Sequence, residues 1–318
     1  MELAASSLRL HCRRHLSLVG FWLSASGENF AEDAAQFAAR VARVLCPVRC
    51  APCHNRSMPR VDKHPPGEFC WLELATTDQE SAKKFYAALF GWNINDFPMG
   101  PAGVYTIFRM GGRDVAAGCT LRPDLTAQGV PPHWMIYIAT DSADQAAAKA
   151  SSLGGKVLQL AFDVMEAGRM AVVQDPTGAV FCLWQAKGNT GLGITGDPDT
   201  FYWADLITPD PERAKQFYSG LFGWQVVTGE KDTSGYLHIK NGERFIGGIP
   251  PVRHQGPNAV PHWLSYFYVA DVDETTRKAQ GLGGRIYGPP MDIEGAGRMA
   301  ILGDPQGAAF ALFKESRH

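Results

Sequence analysis

The sequence predicts an α+β fold built from four βαβββ units, two to each of two tandem domains. Two observations predict it. The first is an internal duplication, the feature to seek before any other in a chain of this length. Phe85-Tyr86-Ala87-Ala88-Leu89-Phe90-Gly91-Trp92 recurs as Phe217-Tyr218-Ser219-Gly220-Leu221-Phe222-Gly223-Trp224. Pro132-His133-Trp134 recurs as Pro261-His262-Trp263, and Leu153-Gly154-Gly155 as Leu282-Gly283-Gly284. Ala167-Gly168-Arg169-Met170-Ala171 recurs as Ala296-Gly297-Arg298-Met299-Ala300. Asp175-Pro176-Thr177-Gly178-Ala179 recurs as Asp304-Pro305-Gln306-Gly307-Ala308. From Pro131 to Trp184 the offset stays constant, with roughly 40% of positions identical.

The second observation is that each copy halves again. Cys70–Leu74 is a short apolar run of strand character. Asp78 supplies an N-cap for a helix from about Gln79 to Leu89, with Ala82, Phe85, Tyr86 and Leu89 on one face and Gly91 as its stop. Strands follow at Trp92–Ile94, Val104–Met110 and Val115–Leu121. The order then repeats: a strand at Trp134–Ile138, a helix capped by Asp141 or Ser142 and ended by Gly154-Gly155, and strands at Lys156–Leu160, Met170–Gln174 and Val180–Gln185. An Asp-Pro-Thr-Gly turn joins the last two. The domains are predicted at 67–187 and 199–316, joined by a linker at 188–198 rich in Gly, Thr, Asp and Pro.

Composition sets the outer limits. A chain of 318 residues suggests about two domains. Thirty basic and 32 acidic residues leave a net charge of −2, which gives no electrostatic reason to expect nucleic acid or an anionic membrane as partner. No apolar run reaches the ~18 residues that a transmembrane helix requires. Seven cysteines, four of them within the first 60 residues, do not form a disulfide framework. They read as thiols of a reducing, cytoplasmic compartment. A monomer or a homodimer fits, since the duplication lets one chain supply what two shorter chains would.

Residues 1–66 are read as an extension, disordered or non-native, and 1–57 have no counterpart in the repeat. Translation starting at Met58 is one reading of the stretch. A targeting segment is another, with Arg13, Arg14 and His15 ahead of Leu16–Leu23. An amphipathic helix over Ala31–Val44 is compatible with both. Cys50-Ala51-Pro52-Cys53-His54 has the spacing of covalent haem attachment, and Cys46, Cys50, Cys53 and His54 have zinc-ligand chemistry. Chance in a cysteine-rich tract competes with both.

The repeated motifs resemble the vicinal oxygen chelate superfamily, the glyoxalase/bleomycin-resistance/dioxygenase type. More narrowly they resemble tandem glyoxalase-like bacterial proteins that are labelled hydroxylases. The resemblance rests on the helix ending in Phe-Tyr-x-x-Leu-Phe-Gly-Trp, the Trp-x-Glu/Asp-Leu first strand, Pro-His-Trp, Gly-Arg-Met-Ala and the late Asp-Pro-x-Gly turn, and it covers about 67–314. It implies that two βαβββ units pair side by side and curl into an open barrel around a small-molecule cavity. It also implies where metal ligands stand in metal-dependent members. Here those positions fall on Trp71, Met135 and Cys182, and on Trp203, Leu264 and Ala311. The fourth falls within Val115–Cys119 and Phe245–Ile249, which offer no carboxylate. Such side chains make no His/carboxylate set, so neither metal nor other cofactor is predicted. A register slip of two residues would bring in Glu73, His133, Asp205 and His262 instead.

Strand alternation then selects the candidate site. If Leu72 and Leu74 pack under the helix, Trp71 and Glu73 face the cavity, as do Trp203 and Asp205 in the second copy. His133, Met135 and Tyr137 share a face, matched by His262, Leu264 and Tyr266. Glu73, His133, Asp205 and His262 are the candidate acid/base residues. Trp71, Tyr137, Arg169, Trp203, Tyr266 and Arg298 are the candidate substrate-binding residues, the arginines as clamps for an anion. A bland reading stands beside each: the histidines bond a backbone carbonyl, the arginines hold a loop, the Phe-Tyr pairs are core, and Asp-Pro-x-Gly is turn chemistry. Two function classes stay open. One is a metal-independent protein that binds a small organic molecule. The other is an enzyme, a lyase, isomerase or hydroxylase, acting on a small carbonyl or aromatic compound.

Overall fold

A computed structural model describes residues 61–229, 234–255 and 259–316. The readings placed on residues 1–60 (start site, targeting segment, helix, haem, zinc) lie outside the described residues. The order of elements follows the duplication. In the first copy β1 (Phe69–Thr76), α1 (Gln79–Phe90), β2 (Asn93–Pro98), β3 (Val104–Met110) and β4 (Arg113–Thr120) form one unit. A short α2 (Pro123–Ala127) leads to β5 (His133–Ala139), α3 (Ala143–Ser152), β6 (Lys156–Val164), β7 (Gly168–Gln174) and β8 (Val180–Ala186). The second copy has β9 (Thr200–Ile207), α4 (Pro211–Phe222), β10 (Gln225–Thr228), β11 (Leu237–Asn241) and β12 (Arg244–Ile249). It continues with β13 (His262–Tyr268), α5 (Val272–Gly281), β14 (Arg285–Ile293), β15 (Gly297–Gly303) and β16 (Ala309–Glu315).

Local chemistry accounts for the helix ends. Asp78 Oδ1 accepts from the Ser81 amide at 3.0 Å, and Gly91, with φ at 72°, turns the chain out of α1. Asp210, Ser142 and Asp271 cap the other long helices in the same way. β2 extends further than its apolar residues predict and ends on Pro98. It is an edge strand, and only there does a ladder tolerate proline.

Each copy forms one eight-stranded sheet, ordered β2-β3-β4-β1-β5-β8-β7-β6 in the first and equivalently in the second. The two units of a copy meet through the antiparallel β1–β5 pair, Glu73 opposite Met135, while β1–β4 and β5–β8 are parallel. The edge strands β2 and β6 do not pair with each other, so the sheet stays open. It is nevertheless curled. Met299, Ile301 and Ala311 lie on the face of the second sheet away from the helices, yet are 0%, 3% and 0% exposed. A flat sheet would leave them in water.

The main core lies between the copies. The helix-bearing faces of the two sheets meet, with Phe69 against Phe201 and Trp263, and Phe90 against Phe267. The contacts are reciprocal. Lys278 Nζ donates to Leu89 O at the end of α1, and Lys149 Nζ donates to Leu221 O at the end of α4, cations placed where a helix end favours them. The Phe-Tyr pairs are therefore core between copies as well as within one.

The stretch 188–198 is more than a flexible link. Leu192 and Ile194 are buried, and the amides of Leu192 and Gly193 donate to Cys70 O and Asp114 O, both at 2.8 Å. A side chain at Gly191 would meet Cys70 O at 2.2 Å, and its φ is +110°. Glycine is what lets this strap lie against β1.

Candidate functional site

In the first copy β1 carries Leu72 and Leu74 into the helix-side core and turns Trp71 and Glu73 to the inner face of the curled sheet. Tyr105, from β3, donates from its hydroxyl to Glu73 Oε2 at 2.8 Å and accepts from Trp71 Nε1 at 3.2 Å. The Cys119 thiol reaches Glu73 Oε1 at 3.7 Å. Tyr137 stands beside the same carboxylate, opposite Trp71 in the ladder. Surrounding protein pushes the Glu73 carboxyl above its usual range, and hydrogen bonds from Tyr105, Tyr137 and Cys119 pull partly back. Glu73 itself is half-buried and reachable from the inner face.

The second copy repeats the set with tighter closure. Asp205 is 1% exposed. Its Oδ1 accepts from Tyr236 Oη at 2.5 Å and Trp203 Nε1 at 3.1 Å, and its Oδ2 accepts from Tyr266 Oη at 2.8 Å. Burial raises its pKa from 3.8 to about 6 against those three donors. Tyr236 leans over Gly248, where a Cβ would fall 1.9 Å from its hydroxyl. The corresponding position facing Glu73 is Ala117. A longer acid beside alanine and a shorter acid beside glycine thus reach their tyrosines by different routes.

The sequence-predicted residues divide. Trp71, Glu73 and Tyr137 come together, and so do Trp203, Asp205 and Tyr266. The histidines do not join them. His133 Nδ1 bonds Pro131 O and His262 Nδ1 bonds Val260 O, both at 2.8 Å. These carbonyls precede the strands, and the carboxylates are already engaged by phenols. Burial lowers both imidazole pKa values, and the His133 charge lowers that of His262 further, so the two histidines lie near each other between copies.

The arginines are a second correction. Arg169 holds Asp144 with two hydrogen bonds, 2.7 and 2.9 Å, and also bonds Ala161 O. Arg298 holds Asp273 with two, 2.6 and 2.8 Å, and Asp292 with a third. Their strand positions point them at the first turns of α3 and α5, where those aspartates stand, so they tie helix to sheet. No anion clamp forms from them. Tyr105, Tyr236 and Cys119 were missed by the sequence reading. The repeat offers a signal for the tyrosines, since Tyr105 on β3 and Tyr236 just before β11 fall at matching positions, but the identity around them is weak.

The donor set does not suit a metal ion. The inner-face positions around Glu73 are Ala117, Met135 and Cys182, and those around Asp205 are Gly248, Leu264 and Ala311. Among the described residues no three His, Cys, Asp or Glu side chains are placed to share one. What the site offers is a carboxyl of raised pKa among phenols, beside aromatic side chains.

Known proteins place this architecture. The sequence profile of the Glyoxalase/Bleomycin resistance protein/Dioxygenase superfamily matches residues 69–183 and again 200–312. The chain is 39% identical over 265 residues to "Putative glyoxylase CFP32" of Mycobacterium tuberculosis, covering 81% of this chain and 98% of that protein. It is 35% identical over 259 residues to anthracycline biosynthesis protein DnrV of Streptomyces peucetius, covering 78% and 93%. Among solved structures, the Mn(II)-bound glyoxalase of Novosphingobium aromaticivorans shares the fold with a TM-score of 0.54 at 17% identity, over 78% of this chain and 82% of that one. The 2,3-dioxygenase LapB of Pseudomonas sp. KL28 does so with 0.54 at 13%, over 80% and 94%. With both copies matched and close relatives aligned along nearly their full length, the chain belongs to the Glyoxalase/Bleomycin resistance protein/Dioxygenase superfamily.

Proposed function

We propose that this protein binds a small organic molecule against the inner face of its sheet, at the carboxyl group, and does so without a metal ion. One observation carries the reading. The inner face of the first copy holds a carboxyl bonded by tyrosine, Glu73 to Tyr105, and among the described residues the side chains around it lack the donors for an ion. Aromatic walls with few polar groups suit a flat, largely apolar compound, oriented by a hydrogen bond to the carboxyl. The names of the relatives point to small organic substrates, glyoxylase in one case and anthracycline biosynthesis in the other.

A second reading, catalysis on a small carbonyl or aromatic compound, is favoured by the raised pKa of Glu73. A carboxyl that holds its proton nearer neutrality is better matched to general acid–base work. The test combines elemental metal analysis, 1-naphthol binding after chelator treatment, and turnover assays with methylglyoxal–glutathione and catechol. Naphthol binding by metal-free protein is the expected result. Binding that vanishes with chelator and returns with a divalent ion would overturn the metal-free reading. Turnover lost in Glu73→Gln with binding kept would favour the enzyme.

A further inference from the structure

We infer that the two copies are not equivalent, and that the chain takes one ligand, at Glu73: a flat, neutral aromatic compound bearing a hydroxyl or N–H. The second copy has filled the corresponding place with its own side chains and serves as frame. The inference rests on the reading of the Glu73 face as a ligand site.

The copies can be compared position by position along the ladders. In the first, Met135, Val164, Met170 and Val172 are each partly exposed, and Leu158 is 38% exposed. Their counterparts in the second are Leu264, Ile293, Met299, Ile301 and Tyr287, none more than 4% exposed, and all belong to one closed apolar cluster. At these five positions the same backbone is partly open in the first copy and packed in the second, while the tryptophans run the other way, Trp203 being partly exposed and Trp71 buried.

Two glycines show how the second copy was filled. Tyr287 stands where the first copy has Leu158. Its hydroxyl donates to Gly307 O at 3.1 Å, and a Cβ on Gly303 would fall 2.5 Å from that hydroxyl and 2.6 Å from the ring. The first copy has Gln174 at the Gly303 position. Gly248 likewise admits Tyr236, where the first copy has Ala117. At Tyr287 the added ring is paired with a removed side chain, as in a core fitted to its contents, whereas Tyr236 has a tyrosine counterpart in Tyr105 and differs in the glycine that lets it approach Asp205.

The carboxyls differ in the same sense. Both oxygens of Asp205 are engaged by phenol or indole donors, and the group is sealed. Glu73 is partly exposed, and although Tyr105, Tyr137 and Cys119 all bond to it, the donor on its Oε1 is a thiol at 3.7 Å, a weak one that a ligand hydroxyl or N–H can replace.

The Glu73 face states the ligand class. Trp71, Tyr137 and Trp184 form a buried aromatic layer behind the partly exposed, adaptable Met135 and Met170. Phe97, opposite Tyr105, and Phe162, opposite Met170, carry the apolar lining out to both edge strands, enough breadth for fused rings. The floor is a carboxyl, whose oxygens accept hydrogen bonds and whose ionised form repels an anion, so a neutral hydrogen-bond donor is favoured.

Calorimetric titration of the whole chain with 1-naphthol and 1-naphthalenesulfonate tests this. One naphthol per chain is expected, bound at least ~10-fold more tightly than the sulfonate (about 1.4 kcal/mol). Transplanting the filler of the second copy, Leu158→Tyr with Gln174→Gly, is expected to abolish binding. Glu73→Gln, which keeps the shape, is expected to weaken naphthol several-fold and leave the fold intact by circular dichroism. Two naphthols per chain would overturn the single-site inference while leaving the ligand-binding reading in place. Unchanged binding in both variants would overturn the Glu73 site itself, and with it the reading it rests on. Tighter binding of the sulfonate would overturn the ligand class, and binding of neither compound would overturn the underlying reading as well.

Discussion

The Tyr86 hydroxyl of the first copy donates to Asp304 Oδ2 of the second at 3.2 Å, and Tyr218 of the second donates to Asp175 Oδ2 of the first at 3.0 Å. Each tyrosine also accepts from an indole, Trp134 or Trp263, at 3.0 Å. Each aspartate uses its other oxygen to close its own turn, taking three amides, those of 177, 178 and 179 or of 306, 307 and 308. One carboxylate thus shapes a hairpin and clasps the other copy. Removing the phenol leaves an indole N–H and a carboxylate oxygen buried without it. Tyr86→Phe is expected to lower stability by about 1–3 kcal/mol, read from urea unfolding, and Tyr218→Phe to do the same. A loss under ~0.5 kcal/mol in both would show that the clasp contributes little.

Asp205 makes stability depend on pH in a defined direction. Burial raises its carboxyl from 3.8 to about 6, so between those values the folded protein binds the proton more tightly than the unfolded chain. This contribution is full below about pH 4 and is lost as pH rises through 6, on the order of 3 kcal/mol for a shift of ~2 units. Asp205→Asn removes it. The stability of the parent relative to this variant is expected to fall between pH 4 and 7. A difference that stays flat across the range would assign the titration elsewhere.

Gly248→Ala places a methyl where the Tyr236 hydroxyl lies. Tyr236 must then leave Asp205, and the expected loss is about 1–3 kcal/mol. Tyr236→Phe on the Gly248→Ala background should add little, because the bond is already broken. Fully additive losses would show that the methyl is accommodated elsewhere.

Arg169 is expected to matter to the fold and little to ligand. Arg169→Ala unties β7 from α3, yet naphthol affinity should stay within about twofold, with the change read as thermal stability. A large loss of affinity in a folded variant would return the arginine to the site.

Gly191→Ala combines a strained φ with a backbone collision and is expected to lift the strap from β1. Limited proteolysis should then cleave within 188–198 faster than in the parent. Equal cleavage rates would show that the strap is held from elsewhere.

Much of this fold is legible in the chain because its signals are local. Asp78, Gly91 and the Asp-Pro-x-Gly turns act within a few residues, and the alternation that sends Leu72 and Leu74 one way sends Trp71 and Glu73 the other. The carboxylates and the tyrosines of the fifth strand followed from that alternation. The histidines and arginines did not, because a face is shared by many positions. His133 finds a carbonyl two residues back, and Arg169 finds an aspartate on a helix that no spacing rule places beside it. Tyr105, on β3, and Tyr236, just before β11, lie in stretches whose sequences have drifted apart. The difference between the copies was the least visible of all. It depends on pairs such as Tyr287 with Gly303, which are distant in sequence and have meaning only once packed.

The clasp between copies has a consequence for how such a chain evolves and is built. Since the larger core belongs to neither half, the halves made as separate polypeptides should find each other and assemble as a heterodimer. The contact surface then holds both halves to one shape. The inner faces are released from that constraint, and a duplicated gene can retain one for chemistry while the other hardens into scaffold.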